Sequence, residues 1–172
     1  MYYIDNCPLV SDKFKRKCLQ AHDENILSIY LFSSCASGNL EEVKYILLSP
    51  DLLIHPNIAS SDNYALFQAC QKGHVDVVKF LLTSPELSVY CNVHAHKDHA
   101  FKISVLNNIS ELTEYFIFEF GLKKNIEVTN FLKEKERFDI LGLFDSRHLY
   151  QSLEKELNMK NLKTIQDIKV KI

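Results

Sequence analysis

The sequence predicts an all-α fold, a linear stack of helix-turn-helix repeats closed by degenerate caps at both ends. Three observations predict it. Sliding the chain by 35 residues superposes 28–62 on 63–97 without a gap. Inside each copy, apolar residues recur at helical spacing in two short runs. A glycine, Gly38 or Gly73, separates the two runs, and a Ser-Pro, Ser49-Pro50 or Ser84-Pro85, ends the second. Glycine tolerates the left-handed geometry that closes a helix, and proline disfavours helix in the residue before it.

The register between the two copies rests on eleven identities: Leu31/Leu66, Phe32/Phe67, Cys35/Cys70, Gly38/Gly73, Val43/Val78, Lys44/Lys79, Leu47/Leu82, Ser49/Ser84, Pro50/Pro85, Leu52/Leu87 and Asn57/Asn92. Chance would supply about two, so the period is real. In the central copy Leu66, Ala69 and Cys70 share one face of a first helix over 64–71. Val77, Val78, Leu81 and Leu82 form the stripe of a second over 75–83. Two such helices cannot bury their own apolar faces, so each copy needs a neighbour. A further step of 35 brings Ala100, Phe101, Leu112, Tyr115, Phe116 and Ile117 onto core positions. Asn108 then falls where the earlier copies have glycine, and asparagine is the usual substitute in left-handed backbone.

The flanks follow the same logic. Residues 1–8 read as an extended lead, and 10–22 as a helix opened by Ser11-Asp12, with a basic run at Lys13-Phe-Lys-Arg-Lys that suits a solvated capping face. Helices are expected over 25–37, 126–134, 137–144 and 146–157, with Gly142 interrupting the last pair. Phe138, Leu141, Leu149 and Leu153 then sit near core positions of a fourth, degenerate unit. The tail from 158 is expected to fray or to form a short helix on Leu162, Ile165 and Ile168. The chain thus reads as one domain: a cap at 1–27, repeats at 28–62, 63–97 and 98–130, and a degenerate repeat with a closing cap at 131–172.

Composition limits the function. With 172 residues and 47% hydrophobic content the chain can build a core, and a net charge of −2 gives no general attraction to nucleic acid or acidic membranes. No apolar run reaches the ~18 residues of a membrane span, and the first residues lack the pattern of a signal peptide, so a cytoplasmic protein is expected. The five cysteines, Cys7, Cys18, Cys35, Cys70 and Cys91, are scattered without a C-x-x-C pair and read as buried thiols. Nucleophile elbows, phosphate-gripping glycine loops and His-Glu-x-x-His are all missing from the sequence, so no enzyme and no cofactor are expected. Cys91, His94, His96 and His99, with Asp98 beside them, could in principle gather zinc. The preceding copy has Pro56, Ala59, Ser61 and Tyr64 at the same places, which favours solvated loop-tip histidines.

Gly73-His74, Val77-Val78 and Leu81-Leu82, with Ala69 and Cys70 in place of an alanine pair, resemble an ankyrin repeat. Tyr64 and Phe67 stand where that family has threonine and histidine, so its hydrogen-bonded tetrapeptide must give way to apolar packing, and the period exceeds the family's ~33 residues. The resemblance implies that His74 bonds backbone between copies. It also implies a non-enzymatic protein-binding module that presents its first helices on a concave face, with long loops as fingers. The expected contacts are Asn63, Tyr64, Gln68, Gln71 and Lys72 in the central copy. In the next they are Asp98, His99, Lys102, Ile103, Leu106 and Asn107, with Tyr90, His94 and His96 at the loop tip. The first copy offers only the small Ser28, Ser33 and Ser37. The expected partner is another protein, bound in the manner of an effector or inhibitor of a host protein in the host cytosol. The alternative is a homo-oligomeric scaffold joined by its C-terminal helices through Leu149, Leu153 and Leu157.

Overall fold

The computed structural model describes residues 9–169, and side chains as far as 158. The expected extended lead at 1–8, and the roles of Cys7, Leu162, Ile165 and Ile168, lie outside the described residues. The chain divides into two compact units, residues 1–113 and 114–172.

In the first unit, α1 (Asp12–Leu19) opens at Ser11, whose Oγ accepts from the Phe14 N–H at 3.2 Å. Two helical hairpins follow: α2 (Glu24–Ser37) with α3 (Leu40–Leu48), then α4 (Ser60–Lys72) with α5 (Val75–Thr83). α6 (Ala95–Leu106) and the short α7 (Ser110–Glu114) continue the pattern. α2, α4 and α6 pack side by side, and α3 packs on α5, so successive copies stack as the period predicts. The repeat of 35 is visible in what is buried. Leu31, Leu66 and Phe101 occupy one position of the spine, and Cys35, Cys70 and Val105 another, all at most 2% exposed.

Each shared residue in the repeat has a mechanical reason. Gly38 and Gly73 close α2 and α4 at φ 73° and 77°, and Asn108 takes φ 54° at the equivalent place, as its residue type predicts. The residue after the turn reaches back over the previous copy. His74 lies across Gly38, where its Nε2 is 3.1 Å from the Ala36 carbonyl, one of the acceptors a helix end leaves unpaired. Thirty-five residues on, Ile109 covers Gly73, and the Asn107 amide donates to the Gln71 carbonyl at 3.0 Å. Asn57 and Asn92 are identical because each accepts, through Oδ1, the backbone N–H two residues on, at 2.9 Å in both copies.

One feature departs from the expectation. α4 and α6 each begin with three consecutive left-handed residues, Ser61-Asp62-Asn63 and His96-Lys97-Asp98, with φ between 49° and 64°. No glycine relieves either turn, although left-handed backbone costs an L-residue roughly 1–2 kcal/mol. The third residue of each turn is swung inward and buried.

In the second unit, a π-helical turn (Tyr115–Phe120) ends at Gly121, φ 89°. α8 (Ile126–Glu134) opens at Asn125, whose Oδ1 accepts from the Val128 N–H at 2.8 Å. α9 (Phe138–Lys169) is one continuous helix, not the two separated at Gly142 that the sequence suggested. A helical glycine costs only about 1 kcal/mol, which the good helix formers around it absorb. The expected core positions shift with it. Val128, Leu132, Ile140 and Phe144 are buried where α9 packs on α8 and the π-helical turn, whereas Phe138, Leu149 and Leu153 are more than half exposed. Arg147 ties α9 to the preceding loop by donating to the Leu122 carbonyl at 3.0 Å.

Candidate functional site: an aromatic row and a pocket on the first helices

Aromatic rings cross the first helices of three successive copies. Phe32 on α2 meets Tyr64 on α4 edge to face, with centroids 5.0 Å apart. Tyr64 stacks on Phe67 at 5.7 Å, and Phe67 stacks on His99 of α6 at 5.2 Å. This row supplies the apolar packing that Tyr64 and Phe67 imply. Each contact of this kind is worth roughly 0.5–1.5 kcal/mol beyond area burial. Tyr64 is nevertheless 41% exposed, so it both packs and faces outward.

Beside the row, between the two left-handed turns, lies a pocket of about 320 Å³. Leu66, Phe67, Val93, Ala95 and Ala100 give it apolar lining, Tyr64 and His99 contribute rings, and Asp62, Asn92 and His96 contribute polar groups. His96 Nε2 stands 3.5 Å from the Asp62 carboxylate, both largely in solvent.

Of the residues singled out from the sequence, Asn63, Tyr64, His96 and His99 come together at this pocket. Gln71, Lys72, Tyr90, His94, Leu106 and Asn107 are exposed, and Gln68, Lys102 and Ile103 half-buried, without lining it. Two expected contact residues are corrected. Asn63 and Asp98 are 8% and 3% exposed, because each is the inward residue of its left-handed turn. Asn63 Oδ1 accepts the Asn92 N–H of the next loop at 2.7 Å, and Asp98 Oδ1 lies 2.6 Å from His94 Nδ1. Ser28 is likewise buried, its hydroxyl donating to the Glu24 carbonyl at 3.0 Å. Asp62 was not among the residues expected at the site, and Phe67 was expected only to pack. The Phe32/Phe67 identity could have pointed to the row, but nothing in the sequence announces the turn that presents Asp62.

The residues considered for zinc point apart. The Cys91 thiol is buried and donates to the Ile58 carbonyl at 3.5 Å, His94 is held by Asp98, and His96 lies by Asp62. Among the described residues no cluster of three or more His, Cys, Asp or Glu is disposed around a common metal position. Burial pushes the Cys91 thiol up to about 12 and the Cys18 thiol, with the Glu42 carboxylate adding, up to about 11. It raises Cys35 and Cys70 still further, and the four described cysteines are all free. Protonated, enclosed thiols of this kind are packing groups and poor nucleophiles.

Paired helices repeating every 35 residues, each copy capped by the next, now meet a direct comparison: residues 31–82 match the family model described as ankyrin repeats (many copies). Over this stretch the chain is similar to ankyrin repeats. The match runs from the middle of α2 to the end of the α5 stripe and so includes the Gly38–His74 contact. No curated protein and no solved structure gives a significant match. Ankyrin repeats are generally protein-interaction modules and typically not enzymes. Among the described residues no helix is long and apolar enough to cross a membrane.

Proposed function

We propose that the chain is a non-enzymatic binding module that grips another protein across the first helices of the repeats at 28–62, 63–97 and 98–130. The observation that carries this reading is the ring row from Phe32 to His99, rigid by stacking and open to solvent at Tyr64. Such a surface is ordered before contact, so docking loses little side-chain entropy. An exposed aromatic beside a pocket is also the type of group that dominates interface energies. Gln68, Gln71, Lys72 and Lys102, on the same helices, would form the polar surround. Within this reading the chain serves as an effector or inhibitor of a host protein met in the cytosol.

The test is affinity capture from a host lysate with wild type and Tyr64→Ala in parallel, then titration of the recovered protein against both. Loss of an aromatic anchor worth at least 2 kcal/mol weakens binding by roughly 30-fold. Equal affinity for both forms would remove the ring row from the interface.

A second reading, self-association through α9, is favoured by a different observation. Phe138, Leu149, Tyr150, Leu153 and Leu157 are each more than half exposed, and Leu149, Leu153 and Leu157 share one face at i+4 spacing. Helix with no packed face is marginal in water. Sedimentation equilibrium decides it: a monomer at all concentrations, unaffected by Leu153→Glu, excludes self-association.

A further inference from the structure

The pocket between the two left-handed turns has a chemical preference. We propose that it takes the side chain of an arginine on the partner protein; this deepens the binding-module reading and rests on it. Three features of the pocket converge on that side chain. Its apolar lining, Leu66, Phe67, Val93, Ala95 and Ala100, suits the methylene stem of a long side chain. Its rings, Tyr64 and His99, suit a planar cation, because guanidinium stacks on aromatic surfaces and is weakly hydrated. Asp62, with a side chain 81% exposed, stands beside them to accept a charge-assisted, fork-shaped pair of hydrogen bonds.

Other occupants use fewer of these groups. An aliphatic or phenyl side chain would give Asp62 no partner beyond His96 at 3.5 Å and would make no use of its charge. A carboxylate would face Asp62 directly. A lysine would satisfy Asp62 but has no plane to lay against the rings. The volume, about 320 Å³, lies near the bottom of the ~300–1,000 Å³ range of ligand pockets, a size for one side chain and not for a cofactor.

Of the charged groups around Asp62, His96 is 3.5 Å away, His99 lines the same pocket, and Lys97 beside them is engaged in an interaction of its own. The Asp98 carboxylate is buried and held by His94, so it does not compete for the incoming cation.

The experiment is a two-dimensional 15N–1H titration of the full chain with four blocked amino acids, the N-acetyl N-methylamides of arginine, lysine, norleucine and phenylalanine. At pH 7.5 the arginine compound should shift amides within 61–67 and 92–100, saturating in the millimolar range, with the other three at least fivefold weaker. Asp62→Asn should abolish the shifts; the residue is exposed, and asparagine tolerates its positive φ, so the fold is retained. Overturning results are no shifts at these amides, equal shifts from norleucine or phenylalanine, or unchanged arginine binding by the variant. If these appear while the Tyr64→Ala comparison still shows lost capture, the arginine inference fails and the binding-module reading stands. Arginine-specific shifts without a captured partner sink the broader reading instead.

Discussion

Replacing Gly38 by alanine tests how adjacent repeats are locked together. A Cβ at Gly38 would lie 2.6 Å from Cε1 and 2.7 Å from Cγ of His74, distances no real Cβ tolerates, so the imidazole must move. Moving it loses the contact with the Ala36 carbonyl, about 1 kcal/mol, and the left-handed backbone at φ 73° adds about 1–2 kcal/mol. Gly38→Ala should therefore cost about 2–3 kcal/mol. Gly73 is an internal control. Its φ of 77° carries the same backbone penalty, yet its Cβ would meet only Ile109 carbons at 3.4 Å, so Gly73→Ala should cost about 1–2 kcal/mol. The assay is urea unfolding followed by circular dichroism, with His74→Ala made alone and combined with Gly38→Ala. In the His74→Ala background the cost of Gly38→Ala should drop to the backbone part. The same cost in both backgrounds would refute the claim that Gly38 is fixed by the ring above it.

Two further outcomes follow from the same packing. Gly142→Ala should stabilise the second unit by about 1 kcal/mol, because a Cβ there meets nothing within 4 Å and the helix is already formed; differential scanning calorimetry would read it as a higher melting temperature, and a lower one would contradict the continuity of α9. The buried thiols set a ceiling on alkaline stability. Their folded pKa values are raised, so the thiols' contribution to stability is fully present below about pH 9 and is lost as pH rises from there toward about 11–12, the window in which the unfolded chain ionises first. In a Cys7→Ser background, alkylation of the remaining four thiols at pH 8 should proceed only at the unfolding rate; rapid labelling of the native chain would show that they are accessible.

How much of this was legible beforehand depends on the range of the forces involved. Helix stripes, the glycine turns and Asn108 in left-handed backbone could all be read in advance, because each is written in a short pattern that repeats 35 residues on, and repetition turns a weak local signal into a strong one. The bond from His74 to the neighbouring copy followed from the resemblance to ankyrin repeats, since Asn39 and Ile109 stand at the equivalent places. Asn63 and Asp98 could not be placed, because their type and their neighbours read as solvent-facing. Only the closing of a left-handed turn against the next loop turns Asn63 inward to the Asn92 N–H. Gly142 misled for a related reason, since a break in a helix depends on whether the flanking turns are held, and α8 holds them.

By itself, then, the order of residues determined the repeat and the helices within it, since those follow from periodic hydrophobicity and from backbone angles that one residue at a time prefers. Tertiary structure decided which side chains meet. The row from Phe32 to His99 spans three helices, and the pocket at Asp62 and His96 joins turns one repeat apart. Contacts across such separations depend on how the copies stack, and no local preference encodes that.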